Sequence, residues 1–202
     1  MNITVLGASG KTGLQVVRQA LEAGHTVHAV VRRADALEPR ANLHLTVGDV
    51  ADPAVVAEAS KDSDAIISAL GNLKVPLMTP AVQSVIKASD ITGVKRFVLM
   101  SAFVVERDRL RPSMKVISRL GMKTAIEDKT ASEALLRRSG LDWTIAYVTT
   151  LTDRPKGARI REVPKSEKLG MRHKISRADS AAWMLDAAVS NKHIHEGIVL
   201  AQ

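Results

Sequence analysis

Cysteine is absent from this 202-residue sequence, and aromatic residues make up only 2% of it. Without cysteine the chain can form no disulfide, thiolate zinc site or cysteine nucleophile, which fits a reducing compartment. No apolar run approaches the roughly 20 residues of a membrane span. Residues 3–6 already form an apolar strand pattern, with no signal-peptide pattern before them. We therefore expect a cytoplasmic protein without membrane association.

The formal net charge is +8, which fits a nucleic acid, an anionic small molecule or simply a solvated basic surface. Nucleic-acid-binding domains usually add aromatic stacking residues or a helix densely lined with basic groups. Here the basic residues are spread along the chain, so we expect no nucleic-acid partner. The histidines lack metal-ligand spacing, and no His-Glu-x-x-His pattern occurs, so we expect no metal site.

Apolar, β-branched runs alternate with helical patterns up to residue 148. Runs such as residues 65–67 show no apolar-polar alternation, which indicates burial on both faces of a parallel sheet. Gly24, Gly93 and Gly140 stand where helices should end. We predict one Rossmann-type, doubly wound α/β domain over residues 1–202, with six parallel strands and helices on both faces.

Two segments stand outside this rhythm. Residues 150–176, here called the cap, are predicted to cover the substrate side. Residues 104–123, here called the insertion, follow the fifth strand, where the ligand crevice of an α/β fold opens. The insertion is either a lid or a surface helix with a packed face. Its apolar residues recur at helical spacing, at Leu110, Met114, Ile117 and Leu120.

A glycine-rich loop directly follows the first strand and opens the first helix. Gly7 would permit the tight turn, Gly10 would let the backbone approach a pyrophosphate, and Gly13 would allow close helix-sheet packing. The helix N-terminus offers free N–H groups to the anion. The alternative is a glycine-rich turn that binds no ligand. The loop does not have the spacing of a P-loop. The predicted cofactor contacts in this loop are Gly7, Ser9, Gly10, Lys11, Thr12 and Gly13.

The second strand ends in Arg32-Arg33, where NAD-binding folds place an acid. Guanidinium groups suit a 2′-phosphate, so we predict NADPH as the cofactor, the alternative being two surface arginines. After the third strand, Asp49 either accepts from the adenine amino group or caps the turn with Asp52. Val50 completes the predicted contacts at this strand end.

The fourth and fifth strands end in Ala69-Leu70-Gly71 and Ser101-Ala102-Phe103. This places Gly71 and Ser101 where a nicotinamide ring would lie, and Ser101 is the candidate catalytic residue. Ala69, Leu70, Gly71 and Ser101 are predicted cofactor contacts.

The Tyr-x-x-x-Lys pair with which typical short-chain dehydrogenases reduce carbonyls is missing. The one tyrosine, Tyr147, precedes Leu151 by four residues, and Ala125 stands four residues before Lys129. Lys129 itself stands where the lysine of such a pair is expected, and we predict that it contacts the cofactor. A flavin accepts hydride at N5 and leaves its proton to solvent, so for a flavin stacking and positioning would suffice.

These motifs, together with Ser-Gly-Leu at 139–141 and Ile-Ser-Arg-Ala-Asp at 175–179, resemble those of an atypical short-chain dehydrogenase family with an NAD(P)H-binding domain. The likeness runs nearly end to end and is greatest to the flavin reductase/biliverdin-IXβ reductase group. It implies an NADPH-dependent reductase of FMN, riboflavin or linear tetrapyrroles, with flavin as a substrate rather than a tightly bound group. The acceptor would lie against Ala102, Phe103 and Thr150. Members of the mammalian type carry a histidine where this chain has Thr150, which weakens the biliverdin assignment more than the flavin one.

Two other functions stay open at this point. The missing tyrosine and Thr150 also fit a non-catalytic NADP(H) sensor or assembly factor. A quinone reductase would use the same residues as a flavin reductase. We expect a small planar acceptor as the partner and a monomer or homodimer as the assembly.

Overall fold

The computed structural model describes residues 1–71, 75–157 and 159–202, except for the side chains of residues 116, 117, 119 and 120. Its centre is an eight-stranded sheet, accompanied by a two-stranded ribbon. The strands are β1 (Asn2–Leu6), β2 (Thr26–Val31), β3 (Leu43–Val47), β4 (Ala65–Ser68), β5 (Arg96–Ala102), β6 (Asp142–Val148), β7 (Thr150–Thr152), β8 (Arg161–Glu162), β9 (Lys174–Ser176) and β10 (Glu196–Ala201). The helices are α1 (Lys11–Glu22), α2 (Pro53–Ser60), α3 (Met78–Thr92), α4 (Pro112–Gly121), α5 (Lys123–Arg137) and α6 (Arg177–Ser190).

The sheet has the strand order β3-β2-β1-β4-β5-β6-β10-β8, which confirms the predicted Rossmann-type fold. The strand count was wrong, because β10 pairs in parallel with β6, from Glu196 opposite Thr144 to Leu200 opposite Val148. This makes seven parallel strands rather than six. The short strand β8 then pairs antiparallel with β10 at the sheet edge.

Helices cover both faces of the sheet. Helices α1 and α6 pack together on one face, while α3 packs against both α2 and α5 on the other. Neighbouring residues of one strand therefore enter different cores: Ile66 joins the core under α3, and Ile67 joins the core under α1 and α6. Burial on both faces explains why these strands are continuously apolar.

Glycine follows all three helices for which it was predicted. Gly24 and Gly93 adopt φ angles of +80° and +79°, a left-handed conformation that favours glycine. Gly140 lies between α5 and β6 without a left-handed φ angle. There the Ser139 hydroxyl donates to the Leu136 carbonyl at 2.7 Å and occupies one of the last helix acceptors.

The insertion and the cap pack against each other. The Leu169 amide donates to the Arg109 carbonyl at 2.8 Å, and the Arg111 amide donates to the Leu169 carbonyl at 2.9 Å. Leu110 and Met114 are buried, while the side chains of Ile117 and Leu120 lie outside the described residues. Opening of the insertion as a lid stays a prediction. Within the cap, β8 is a strand of only two residues.

Candidate nucleotide site and buried carboxyl network

A cavity of about 280 Å³, here called the glycine crevice, opens at the carboxyl ends of β1, β2, β3 and β4. The chain turns back across the sheet between β1 and β4, and α/β folds bind ligands at such a switch point. Four lining residues were not among the predicted contacts: Val30, Val31, Gly48 and Leu77. Nine predicted residues line it: Gly7, Ser9, Gly10, Arg32, Asp49, Val50, Ala69, Leu70 and Gly71.

The loop at the start of α1 leaves no room for a side chain at Gly7 or Gly13. Gly7 has a φ of +78°, and a Cβ on it would lie 3.1 Å from the Leu70 amide nitrogen. A Cβ on Gly13 would lie 2.0 Å from the Gly7 carbonyl oxygen. The first turn of α1 holds no acidic residue, and Gly10 provides no side-chain cap. The unpaired N–H groups of a helix start are thus open to an anion such as a diphosphate.

A second, polar cavity adjoins the glycine crevice and shares Ser9 and Arg32 with it. Its other lining residues are Arg33 and Ala36, so it is bordered by two guanidinium groups and no carboxylate. Arg33 forms an exposed ion pair with Asp35 at 3.4 Å. This arrangement fits a phosphate better than the two hydroxyls of an unmodified ribose.

Asp49 takes part in a turn and borders the crevice as well. Its Oδ1 accepts from the Ala51 amide at 2.9 Å, while Asp52 caps α2 by accepting from Ala54 at 2.9 Å. The turn-forming role that we considered is therefore present, although Asp52 rather than Asp49 is the helix cap.

Two predicted loop contacts are not among the residues that line the crevice. Thr12 is buried, and the exposed Lys11 ammonium lies 3.5 Å from the Asp153 carboxylate. Asp153 also accepts from Arg177 at 2.6 Å. The cap is thus tied by charge to both α1 and α6.

Ser101 lies at the carboxyl end of β5, but it is only 1% exposed and does not line the described crevice. Ser68 pairs with Leu99 across β4 and β5. Leu70 comes two residues after Ser68, and Ser101 comes two residues after Leu99. Ser101 therefore lies at the same height along the sheet as Leu70, which lines the crevice. Its side chain is on the face that packs under α5.

On that face lies a set of four hydrogen-bonded side chains, here called the buried carboxyl network. The Ser101 hydroxyl donates to Glu133 Oε1 at 2.6 Å, and the Tyr147 hydroxyl donates to Oε2 at 2.5 Å. Arg137 donates to the Tyr147 oxygen at 3.0 Å. Sequence reasoning gave no role to Glu133. The available signal was its spacing, one helical turn after Lys129 on α5.

Burial dominates the electrostatics of this network. It raises the pKa of Glu133, although the Ser101 and Tyr147 hydroxyls and the charges of Arg137 and Lys129 act in the opposite direction. Burial also lowers the pKa of Lys129, against the nearby Glu133 and Asp128 carboxylates. The pKa of Tyr147 rises because of burial and the adjacent Glu133.

Lys129 is 8% exposed. Within the described part of the chain, no side-chain hydrogen bond or ion pair reaches its ammonium group. A buried charge without a partner is costly, and such groups concentrate at functional sites. Lys129 is not among the residues that line the described crevice, and its contact with the cofactor stays a prediction.

Asp128, the residue before Lys129, holds the start of α3 at the border of the crevice. Asp128 accepts from the amides of Leu77, Met78 and Thr79 at 2.7, 2.8 and 2.9 Å, and so caps the N-terminus of α3 from outside. Burial acts to raise the pKa of Asp128, but these hydrogen bonds outweigh it and the pKa is lowered. Helix α5 therefore positions Leu77 at the crevice.

The predicted acceptor contacts differ in exposure. Thr150 is exposed at the start of β7, Ala102 is half-buried, and Phe103 is buried. Their contact with an acceptor stays a prediction. Within residues 1–71, 75–157 and 159–202 there is no cluster of three or more His, Asp or Glu that could hold a metal ion. None of the helices described has the length and apolar character to cross a bilayer.

The fold and the glycine crevice together define a dinucleotide-binding domain of the Rossmann type. The chain belongs to the NAD(P)H-binding family, whose model matches residues 7–191. This confirms the predicted family with an NAD(P)H-binding domain.

Similar proteins include reductases and an assembly factor. ChuY, an anaerobillin reductase from Escherichia coli O157:H7, is 26% identical with a TM-score of 0.84, covering 100% of this chain and 97% of that one. A short-chain dehydrogenase/reductase from Veillonella parvula in complex with NADP is 16% identical, with a TM-score of 0.86 and coverage of 100% and 94%, and shows a shared fold. The photosystem II assembly factor Ycf39 of Synechocystis is 28% identical over 153 residues, which are 72% of this chain but 43% of Ycf39. The chain thus spans less than half of that relative.

Proposed function

We propose that this protein is an NADPH-dependent reductase that transfers a hydride to a flavin, such as FMN or riboflavin, or to a similar planar acceptor such as a linear tetrapyrrole. The observation that carries the cofactor assignment is the cavity bordered by Ser9, Arg32 and Arg33 beside the glycine crevice. The similarity to an anaerobillin reductase supports the reductase assignment.

The residues of the crevice fit NADPH. The amides at the start of α1 would hold the diphosphate, Arg32 and Arg33 the 2′-phosphate, and Asp49 the adenine. Lys129 would hold the nicotinamide ribose through its unpaired ammonium. When bound, the reduced nicotinamide supplies the hydride, and the protein contributes orientation and exclusion of water.

The charge of the cap and the insertion favours an anionic acceptor. The insertion carries six basic and two acidic residues, and the cap carries eight and three. Together they hold a net charge of +9, so the remainder of the chain is nearly neutral. Both segments follow the carboxyl ends of sheet strands, where the crevice opens. A field of this sign attracts phosphate- or carboxylate-bearing molecules, so FMN should be preferred over riboflavin.

The test is NADPH oxidation with FMN, riboflavin and biliverdin under anaerobic conditions. We expect turnover with at least FMN, with a preference over riboflavin that falls as salt is added. Gly10→Val serves as the nucleotide-free control, because its side chain would enter the backbone surface that approaches the diphosphate. Absence of turnover with all three acceptors would contradict the proposal. A quinone in the same assay tests the related quinone reductase activity.

One finding favours a second candidate. Similarity to the assembly factor Ycf39 fits a non-catalytic NADP(H)-binding protein that works through a protein partner. Tight NADPH binding without oxidation, together with a stable complex in a pull-down, would support this candidate over the reductase. Sedimentation of the purified chain tests the expected monomer or homodimer.

A further inference from the structure

The chain has no tyrosine at the proton-donating position on α5, because Ala125 stands there. The structure nevertheless brings a carboxyl group to the end of β5 from the same helix, two turns later. We propose that Glu133, acting through the Ser101 hydroxyl, is the source of the proton taken up by the acceptor. This inference rests on the proposed reductase function and widens its acceptors to those that need an acid.

The contact between the two side chains is short and shielded from water. Ser101 Oγ and Glu133 Oε1 are 2.6 Å apart, and the two residues are 1% and 5% exposed. A hydroxyl donates one hydrogen bond and accepts others at the same time. When Glu133 is protonated it can donate to Ser101 Oγ, which frees the Ser101 hydrogen to point to a bound acceptor.

The location of Ser101 connects this pair to the glycine crevice. Ser101 lies level with Leu70, which lines the crevice on the adjacent strand. Ala102 is half-buried beside it. An acceptor seated beyond Gly71 would therefore lie next to the end of β5.

Several charged and titratable groups face Glu133 and set its protonation. Lys129 and Arg137 lie on its own helix, and Tyr147 faces it from β6. Glu106, between the 3-10 turns Phe103–Val105 and Arg107–Arg109 that follow β5, acts on Tyr147. Burial outweighs the cations, so the pKa of Glu133 is raised and the protonated carboxyl is populated at higher pH than for an ordinary glutamate.

The proton step balances without a further reactant. The Ser101 O–H bond breaks as its proton joins the reduced acceptor, and the Glu133 O–H bond breaks as its proton restores the serine. The hydride comes from the reduced nicotinamide of the proposed function. Glu133 is left as a carboxylate near the Lys129 ammonium and regains a proton from solvent. Glu133 is therefore a positioning and proton-holding residue behind Ser101.

The phenol of Tyr147 keeps the carboxyl in this orientation. A Cβ on Gly197 would lie 2.6 Å from Tyr147 Cε2, so glycine on β10 makes the room that the ring occupies. Arg137 then holds the phenol oxygen at 3.0 Å. With Oε2 bound to Tyr147, Oε1 is the oxygen directed at Ser101.

The experiment compares the wild type with Glu133→Gln, Ser101→Ala and the control Glu127→Gln. Glu127 is an exposed carboxylate on the same helix, paired with Lys123 at 3.9 Å. General acid catalysis contributes about 10²- to 10⁴-fold, so with biliverdin as the acceptor we expect Glu133→Gln and Ser101→Ala to lower kcat by a factor in this range. The affinity of Glu133→Gln for NADPH, measured by titration without an acceptor, should not change. Glu127→Gln should match the wild type in both measurements.

The pH profile separates proton supply from a purely structural role. Wild-type kcat should fall as pH rises through the pKa of Glu133 and should show a solvent deuterium isotope effect. In Glu133→Gln both the pH dependence and the isotope effect should disappear. If the pH dependence and the isotope effect survive in Glu133→Gln, the proposed proton transfer from Glu133 through Ser101 is overturned.

An infrared titration gives a readout without turnover. In the wild-type protein alone, the pH-difference spectrum should show a protonated carboxyl that titrates above the ordinary glutamate range. The absence of such a carboxyl would overturn the inference even if a variant fails to fold. The two proposals fail in different ways. A wild-type protein that binds no NADPH contradicts the proposed function. If NADPH binding and turnover are the same in wild type and Glu133→Gln, only the proton transfer from Glu133 is contradicted.

Discussion

Replacement of Arg32 by alanine should weaken NADPH binding without affecting NADH. Arg32 borders both the glycine crevice and the adjoining polar cavity, where Arg33 is the other cation. A hydrogen bond to a charged group contributes about 1.5–3 kcal/mol. Both arginines are exposed, and solvent screening favours the lower end of that range. We therefore expect an increase in Kd of about 10- to 30-fold, since 1.4 kcal/mol corresponds to a factor of ten.

The assay is a calorimetric or fluorescence titration of NADPH and NADH at one fixed ionic strength. Arg18→Ala is the matched control, because Arg18 is an exposed arginine on α1 that pairs with Glu22. Arg32→Glu should go further and shift the preference towards NADH, since it replaces a phosphate partner by a ribose partner. An equal loss for both nucleotides, or no loss for NADPH, would refute the assignment of the 2′-phosphate to this cavity.

Two further substitutions test the supports of the crevice. Gly13→Ala places a Cβ 2.0 Å from the Gly7 carbonyl oxygen, so we expect a loss of roughly 1–3 kcal/mol in unfolding free energy and loss of NADPH binding; unchanged urea denaturation would contradict the close packing. Asp128→Ala leaves three amides at the start of α3 without their acceptor, at a cost of roughly 1.5–3 kcal/mol. Because the pKa of Asp128 is lowered, its contribution is present above the ordinary aspartate pKa and is lost as pH falls through the lowered value. The gap between wild type and Asp128→Ala in denaturation curves should therefore stay constant from about pH 7 to about pH 5 and narrow as pH falls below about 4.

The fold could be predicted because its strands are local patterns. Runs such as residues 65–67 are apolar at every position, and only a sheet covered on both faces buries them all. The place of β10 was not predictable in this way, because a terminal strand of three apolar residues gives no sign of its neighbour. Its pairing with β6 depends on contacts between residues about fifty positions apart. The two-residue strand β8 has no pattern of its own.

The glycine crevice was predicted better than the reacting end. Nine of its lining residues follow from strand ends and one glycine loop, because the carboxyl ends of parallel strands meet at one edge. Leu77 was missed because it reaches the crevice through Asp128, a contact across 51 positions. Such capping by a distant side chain has no local signature.

Ser101 shows what strand periodicity alone could have added. Phe97 and Leu99 pack in the core under α5, and Ser101 shares their face because side chains alternate along a strand. This parity predicts that the Ser101 side chain lies on the face of the sheet that α5 covers. Helical spacing then predicts Glu133 beside Lys129 on the same helix. Two turns after Ala125, Glu133 is the residue of α5 that contacts the end of β5.

Replacing Lys129 should raise the stability of the protein and lower its affinity for NADPH. The pKa of Lys129 is lowered chiefly by burial, so below that lowered value the folded state carries a charge that the unfolded chain solvates better. The penalty is present near neutral pH and is relieved as pH rises towards the ordinary lysine value. Lys129→Met should thus be more stable than the wild type at about pH 7, and the gain should shrink by about pH 9.5, close to the ordinary lysine pKa of about 10.4.

The same substitution should weaken NADPH binding, because no described side chain pairs with this ammonium and the nucleotide ribose would take that place. Urea denaturation at both pH values and an NADPH titration provide the measurements. A variant that is less stable at about pH 7 would show that Glu133 and Asp128 already compensate the charge. In that case the fold alone would account for a lysine at position 129. A variant that is more stable but binds NADPH more weakly would instead indicate that Lys129 is retained for its ligand.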